Sequence, residues 1–167
     1  PLAQTERSHA YIRERVHAIA SRGIVPVILG GDHSITWPAA TAVADVHGYG
    51  NVGIVHFDAH ADAADSVEGN LASHGTPMRR LIESGAVPGT HFVQVGLRGY
   101  WPPQDTFEWM QKQGMTWHTM QEIWDEGFKA VMGRAVGEAL KKAEKLYVSV
   151  DIDVLDPAHA PGTGTPE

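Results

Sequence analysis

Three clusters of aspartate and histidine, each directly after a short apolar run, constrain this chain more than any other feature of its sequence. They occupy residues 30–34, 58–62 and 149–153, and the apolar runs before them are typical of buried β-strands. Segments with helical periodicity alternate with these strands, which indicates a doubly wound parallel sheet. Binding sites in such sheets form at the carboxyl ends of the strands, so we expect the three clusters to meet there.

The predicted elements follow one another as helix and strand along most of the chain. Helices are predicted over residues 5–22, 35–46, 77–84, 104–113 and 120–142, the last interrupted near Gly127, and strands over 24–29, 52–57, 91–96, 115–117 and 146–150. Pro26 lies inside the first strand and removes one ladder N–H there. The predicted fold class is α/β, a three-layer α/β/α arrangement with a mostly parallel sheet.

Composition excludes several classes of protein. The 167 residues carry 13 Lys and Arg against 20 Asp and Glu, a net charge of −7, which argues against a nucleic-acid partner. The absence of cysteine excludes disulfide scaffolds, thiolate zinc sites and cysteine nucleophiles, and it fits a reducing cytosol, so we expect a cytoplasmic protein. No apolar run approaches the ~20 residues that a membrane span needs, so no membrane partner is expected.

Four carboxylates at one edge of a buried sheet repel one another unless their pKa values rise or cations lie among them. The side-chain period of two in extended backbone is expected to turn Asp58, His60 and Asp62 to one side, and Asp151 and Asp153 likewise. Carboxylate and imidazole ligands favour a divalent ion such as manganese, and six ligands suit two ions that together activate water. The candidate ligands are His33, Asp58, His60, Asp62, Asp151 and Asp153.

Each cluster taken alone has a plainer interpretation. An Asp-x-His-x-Asp stretch also occurs in solvated loops and helix N-caps, and a Gly-Gly-Asp-His turn is usually only a turn. Ligands delivered by three separate strand ends are harder to explain by surface polarity. The combination therefore favours a two-metal site.

The same segments resemble the ureohydrolases, the arginase and agmatinase family of binuclear manganese hydrolases. The resemblance is carried by Gly-Gly-Asp-His-Ser at 30–34, Phe-Asp-Ala-His-Ala-Asp at 57–62, and the run at 149–157 that continues to Pro-Gly-Thr-Gly-Thr-Pro at 161–166. It implies an arginase-like fold, two Mn²⁺ per subunit and assembly as a trimer or hexamer. It also implies that one manganese is held by His33, Asp58, Asp62 and Asp151, and the other by Asp58, His60, Asp151 and Asp153.

The resemblance gives catalytic roles to two residues, Asp62 and His74. Asp62 would accept a hydrogen bond from the attacking hydroxide, and His74 at the mouth of the site would protonate the departing amine. Without the resemblance, His74 is interpreted as a solvent-facing loop histidine. Asp32 and Ser149 are interpreted as turn residues or supports of the ligands, and His56 is assigned a packing role.

Within the family, the sequence resembles the agmatinase branch. Ala64 stands where arginases are expected to carry an asparagine that recognises the α-carboxylate of arginine. The branch implies hydrolysis of agmatine, a small cationic guanidino substrate, to putrescine and urea. Guanidinobutyrate, guanidinopropionate and arginine are alternative substrates. Two other hypotheses are a formiminoglutamate-type or deacetylase-like hydrolase, and a metal-stabilised regulatory subunit without activity.

The two ends of the sequence lead us to expect a single partial domain over residues 1–167. The chain opens at Pro1 without a methionine and stops at Glu167, just after a Gly- and Pro-rich segment. We therefore expect a fragment that lacks N- and C-terminal parts of a ureohydrolase domain. The acidic residue with which the family clasps the guanidinium is expected beyond Glu167, which is not expected to replace it.

Overall fold

Four parallel strands form the sheet in the computed structural model, which describes residues 2–100 and 102–167. Pro1 lies outside the described residues. The strands are β1 (Val52–Phe57), β2 (Phe92–Leu97), β3 (Thr116–Thr119) and β4 (Lys145–Val150), in the spatial order β3-β2-β1-β4. Val55 of β1 lies opposite Val93 of β2 and Val148 of β4. The carboxyl ends of all four strands therefore lie at one edge, and β1 lies between β2 and β4.

Helices form where helical periodicity predicts them. They are α1 (Leu2–Ala20), α2 (Thr36–His47), α3 (Pro77–Glu83), α4 (Gln104–Gln113), α5 (Met120–Glu126) and α6 (Phe128–Ala139). The predicted interruption near Gly127 is confirmed, because this residue separates α5 from α6 with a φ of 87°. None of the described helices is both long and apolar enough to cross a bilayer.

The sheet has a core on each of its two faces, which confirms the three-layer prediction. Val52 and Ile54 of β1 pack in a cluster with residues of α1 to α4. On the opposite face, Val55 packs with Val93 of β2 against α6 in a separate hydrophobic core. Successive side chains of a strand point to opposite faces of the sheet. The even-numbered residues of β1 therefore face the core formed with α1 to α4, and the odd-numbered residues face α6.

The predicted strand over 24–29 is wrong, because this segment joins no ladder. Val25 and Leu29 are 83% and 90% exposed. A cleft of about 750 Å³ separates the segment from β4, the nearest strand edge, so its backbone has no partner within reach. Pro26 also lacks the N–H that a ladder needs at that position. As a result, β4 is an edge strand.

Candidate metal centre

The six predicted ligands lie together at the carboxyl edge of the sheet. Asp58 and Asp151 directly follow the adjacent strands β1 and β4, and His33 begins a 3₁₀ turn that leads into α2. The side-chain ligand atoms form two overlapping groups, and within each group all atoms lie within 4.8 Å of one another. The groups are His33, Asp58, Asp62 and Asp151, called the first cluster here, and Asp58, His60 and Asp153, called the second cluster.

The first cluster surrounds one buried imidazole nitrogen. Nδ1 of His33 lies 3.1 Å from Asp58 Oδ2, 2.9 Å from Asp62 Oδ2 and 3.1 Å from Asp151 Oδ2. Within the part of the chain that the structure describes, this nitrogen nevertheless has no hydrogen-bond partner. The opposite ring nitrogen, Nε2, lies 2.8 Å from Ser149 Oγ, and this contact fixes the ring orientation. A buried nitrogen among three carboxylate oxygens without a hydrogen bond is the arrangement expected around a divalent cation, so the donor set fits a metal.

The second cluster is centred on His60. Its Nδ1 lies 3.0 Å from Asp153 Oδ2 and 3.5 Å from Asp58 Oδ1. Asp58 therefore presents one oxygen to each cluster, as a bridging ligand must. Asp151, which the resemblance also gives to both ions, belongs to the first cluster only; its Oδ1 accepts a hydrogen bond of 3.1 Å from the Asp153 backbone N–H.

Backbone turns bring these carboxylates together, and neither segment continues throughout in the extended backbone that the sequence predicts. Asp62 has a φ of 47°, in the left-handed region. The backbone N–H of His60 donates to Asp58 Oδ1 over 2.7 Å, which is the bond of an Asx turn. Asp153 lies in a 3₁₀ turn, Ile152–Val154, that Asp151 caps. The expectation of strict alternation is thus wrong, although the side chains still converge.

A glycine at the end of β2 allows the surrounding loops to approach. Gly96 has a φ of 107°, and a Cβ there would lie 2.8 Å from Val154 Cγ2 and 3.2 Å from the carbonyl oxygen of Asp58. The β2–β3 register shifts at the same place, between Val95 and Leu97. The chain after Asp153 can therefore lie directly against the end of β2.

Electrostatics within the centre are dominated by the contact between carboxylates and imidazoles. Burial lowers the pKa of His33, but the three carboxylates around it raise this pKa to about 12. Contacts with Asp153 and Asp58 raise the pKa of His60 to about 10. Burial raises the pKa of Asp62. The pKa of Asp58 lies below its usual range despite its burial, because the rings of His56 and His33 contact its oxygens. Without a cation, protons on the two ligand histidines balance part of the carboxylate charge.

His74 lies outside both clusters. It is exposed, and its Nδ1 lies 3.2 Å from Ser73 Oγ. Burial raises the pKa of Asp32, but hydrogen bonds from Ser34 and the charge of His74 bring it below the usual value. His74 is therefore close enough to Asp32, the neighbour of ligand His33, to interact with it electrostatically.

The packing role predicted for His56 is wrong, because its ring makes a polar contact with one of the candidate ligands. The ring is fully buried, and its Nε2 lies 2.7 Å from Asp58 Oδ2. Gln94 of β2, which was not singled out, lies 3.0 Å from the other ring nitrogen. The signal was present in the sequence, because residues 56 and 58 are two apart and a strand turns such residues to the same face.

The segment around 163–167 also reaches the centre. Thr165 Oγ1 donates to Asp153 Oδ2 over 2.9 Å, and Glu167 Oε1 lies 3.6 Å from His60 Nε2. The Arg98 guanidinium donates to the carbonyl oxygens of Asp153 and Val154, over 2.7 and 3.1 Å. These contacts fix the loop that carries the ligands of β4.

Comparisons with known proteins identify the family of this chain and several of its relatives. The family model described as "Arginase family" matches residues 1–167. The mitochondrial agmatinase of Gallus gallus is 42% identical over 159 residues, which cover 93% of this chain and 45% of the relative. A guanidinobutyrase of Pseudomonas aeruginosa is 41% identical over 156 residues, which cover 93% of this chain and 48% of the relative. The crystal structure of a formimidoylglutamase from Bacillus subtilis superposes with a TM-score of 0.89 at 33% identity, covering 96% of this chain and 50% of that chain. The chain thus spans about half the length of the proteins it matches.

Proposed function

The chain belongs to the arginase family, and on that premise we propose that it hydrolyses the guanidino group of a small cationic substrate, agmatine first, to an amine and urea. The observation that carries the proposal is the bridging geometry of Asp58. Its two carboxylate oxygens face two ligand clusters, and the first of these surrounds the unbonded Nδ1 of His33. This arrangement supports the proposal of a binuclear metal site.

We further propose Mn²⁺ as the metal, with two ions per subunit. His33, Asp58, Asp62 and Asp151 would hold one ion, and Asp58, His60 and Asp153 would hold the other. Oxygen and imidazole donors suit manganese, and the described clusters contain no sulfur ligand. Two divalent ions bring four positive charges to the four carboxylates. When bound, such a pair lowers the pKa of water enough to supply hydroxide near neutral pH.

The residues of the chain supply the proton transfers and the attraction of substrate. Asp62, whose pKa burial raises, is suited to accept the proton of the attacking water at a carboxylate oxygen. We propose that His74, which is exposed and outside the clusters, gives a proton to the departing amine as the C–N bond breaks. Water and the guanidinium ion thereby become urea and an ammonium ion, with atoms and charge balanced. The net charge of the chain, −7 without metal, stays negative when two divalent ions bind, which favours a cationic substrate.

Agmatine is proposed ahead of its competitors on two grounds. The relative from Gallus gallus is an agmatinase, and Ala64 lacks the amide with which an arginase would bind the α-carboxylate of arginine. The similarity to a guanidinobutyrase makes guanidinobutyrate the next substrate to test. We also expect a cytoplasmic homo-oligomer, a trimer or hexamer, because the resemblance implies that assembly and the cysteine-free sequence fits a reducing compartment.

The test is urea release by the full-length protein loaded with Mn²⁺. We expect the highest kcat/KM with agmatine, in a comparison with guanidinobutyrate, guanidinopropionate, arginine and formiminoglutamate. Asp62→Asn should lower kcat by at least about a hundredfold, since it removes a proton acceptor. Asp65→Asn is the matched control, because Asp65 is an exposed carboxylate three residues away that pairs with Arg80 at 3.0 Å.

Three results would contradict the proposal in different ways. Urea release mainly from arginine would contradict the assignment to the agmatinase branch. Turnover of formiminoglutamate alone would contradict the assignment of a guanidino substrate. Two bound Mn²⁺ without turnover of any of these compounds would favour the metal-stabilised regulatory subunit.

A further inference from the structure

A buried chain of hydrogen bonds runs from β2 through β1 to the bridging ligand. Gln94, His56 and Asp58 are each no more than 1% exposed. Gln94 Nε2 lies 3.0 Å from His56 Nδ1, and His56 Nε2 lies 2.7 Å from Asp58 Oδ2. We propose that His56 is a positioning residue for Asp58 and that Gln94 selects the ring tautomer that allows it. The role of His56 in catalysis rests on the proposed function.

The direction of each hydrogen bond in this chain follows from one carbonyl group. Gln94 Nε2 lies 2.6 Å from the backbone oxygen of Ala61, and a carbonyl oxygen only accepts. The amide nitrogen, and not the amide oxygen, must therefore face Ala61. The same nitrogen faces His56 Nδ1 and donates to it, so Nδ1 carries no proton. With no proton on Nδ1, the ring carries its proton on Nε2, which donates to Asp58 Oδ2.

This hydrogen bond restricts the rotation of the Asp58 carboxylate. Oδ2 accepts from His56, and Oδ1 accepts from the His60 backbone N–H at 2.7 Å. With one donor on each oxygen, the carboxylate plane is fixed, and each oxygen keeps a second lone pair for the cluster that it faces. The ring of His56 is held in turn by edge contacts with His33 and Phe92, at centroid distances of 4.8 and 6.1 Å.

His56 could instead be regarded as a metal ligand, since one of its nitrogens lies within 4.8 Å of ligand atoms of His33 and Asp58. The tautomer argues against this. Nε2 carries the proton that Asp58 accepts, and the lone pair of Nδ1 is used by Gln94. The ring has no free lone pair to give a metal, so its action on the site passes through Asp58.

The test compares two amide substitutions that differ in where they place a donor. In His56→Gln the side-chain nitrogen reaches the place of Nε2 and can still donate to Asp58, whereas in His56→Asn it reaches only the place of Nδ1. We expect Mn²⁺ affinity about 10–100-fold below wild type in His56→Asn, the range typical of outer-shell partners, and substantial recovery in His56→Gln. The affinity is measured by titrating chelator-treated protein with Mn²⁺ and recording the EPR signal of the free ion.

His91→Asn is the matched control for loss of a buried histidine. His91 is also buried, but it precedes β2 at the amino end of the sheet, away from both clusters. The His91→Asn variant should therefore bind Mn²⁺ with the affinity of the wild type. Gln94→Met keeps the side-chain volume without the donor and should weaken Mn²⁺ binding in the same direction as His56→Asn. It also serves if His56→Asn fails to fold.

Nitrogen-15 NMR of the histidine rings reads the tautomer directly, and we expect His56 to be protonated on Nε2. A proton on Nδ1 alone, or wild-type Mn²⁺ affinity in both His56→Asn and Gln94→Met, would overturn the proposal. Equal losses in His56→Gln and His56→Asn would also overturn it, because they would indicate packing alone. These readouts do not require turnover, so an inactive protein that binds two Mn²⁺ would contradict the proposed function and leave the role of His56 testable.

Discussion

Protonated histidines compete directly with metal ions in this centre. The pKa of His33 is about 12 and that of His60 about 10 while only carboxylates surround them. Both imidazoles therefore carry a proton at neutral pH before a metal binds, and coordination through Nδ1 must remove it. We predict that Mn²⁺ binding at pH 7 releases one proton from each of the two rings, and that Mn²⁺ affinity rises with pH.

Calorimetric titration with Mn²⁺ in buffers of different ionisation enthalpy measures this release. His60→Gln is expected to reduce the number of protons released, since it removes one of the two titrating rings. Binding heats that are independent of the buffer would contradict the prediction. The pH dependence of the stability of the metal-free protein provides a second check. Both histidine pKa values lie above the value of 6.5 for an unfolded histidine, so stability must change with pH.

The sign of that second effect follows from linkage. A raised histidine pKa contributes stability that is fully present below pH 6.5 and is lost as the pH rises through the folded-state values of about 10 and about 12. The thermal midpoint of chelator-treated protein should therefore fall from pH 6.5 to pH 10 more than that of the Mn²⁺-loaded protein.

The residues of the two candidate ligand clusters could be predicted from the sequence more completely than the residues that contact them. His33, Asp58 and Asp151 could be predicted because metal ligands belong to few residue types and these residues follow apolar runs. The hydrogen bond between His56 and Gln94 joins residues 38 positions apart on neighbouring strands. No local pattern encodes the β1–β2 register that brings them together. The alternation of side chains along a strand therefore predicts which face of the sheet His56 lies on, but it does not predict that Gln94 is its partner.

Close packing between β1 and α6 depends on the absence of one side chain. A Cβ at Gly53 would overlap the carbonyl oxygen of Ala139 and lie 2.8 Å from its carbonyl carbon. Backbone atoms cannot move aside as a flexible side chain can. We predict that Gly53→Ala lowers the free energy of unfolding by about 2–3 kcal/mol, at the upper end of overpacking costs.

Gly137→Ala is the control for the general effect of replacing glycine by alanine. Gly137 lies in α6, and a Cβ there would meet nothing within 4 Å. This change should raise the free energy of unfolding by about 0.5–1 kcal/mol, the helix preference of alanine over glycine. Urea unfolding at fixed metal concentration measures both variants. If Gly53→Ala and Gly137→Ala changed the free energy of unfolding equally and in the same direction, the prediction would be wrong, and α6 would have to move away from β1 to accommodate the new Cβ.

Elements were predictable where burial and local pattern agree. The sequence placed β1 and α4 with the bounds that the structure has, because a buried parallel strand is continuously apolar and a helix has a clear period. The segment over 24–29 has the same apolar composition, but a strand also needs a neighbouring edge to pair with. The presence of such an edge is a tertiary property, which an apolar run does not contain.

At the scale of the whole molecule, the alternation of elements predicted parallel strands and two helical layers correctly. It left open the order of the strands, which decides where the exposed edge lies. In the order β3-β2-β1-β4 the edge strands are β3 and β4, and β4 is the more exposed of the two, with Val148 and Val150 52% and 64% exposed. Exposed apolar residues of the segment over 24–29 face the same cleft. The molecule therefore combines unpaired backbone groups with apolar side chains at one place.

An exposed apolar edge strand pairs readily with another chain, so we predict that the 167-residue chain by itself self-associates through β4. Val148→Lys should shift the chain toward monomer, because a lysine at an edge opposes strand pairing by charge and by its need for water. Trp124→Lys is the control, since Trp124 of α5 is 69% exposed but lies on a helix without unpaired ladder groups. Sedimentation velocity over a range of protein concentrations distinguishes the two changes. A chain that stays monomeric throughout, or equal relief by both lysines, would show that the β4 edge is not the surface of association.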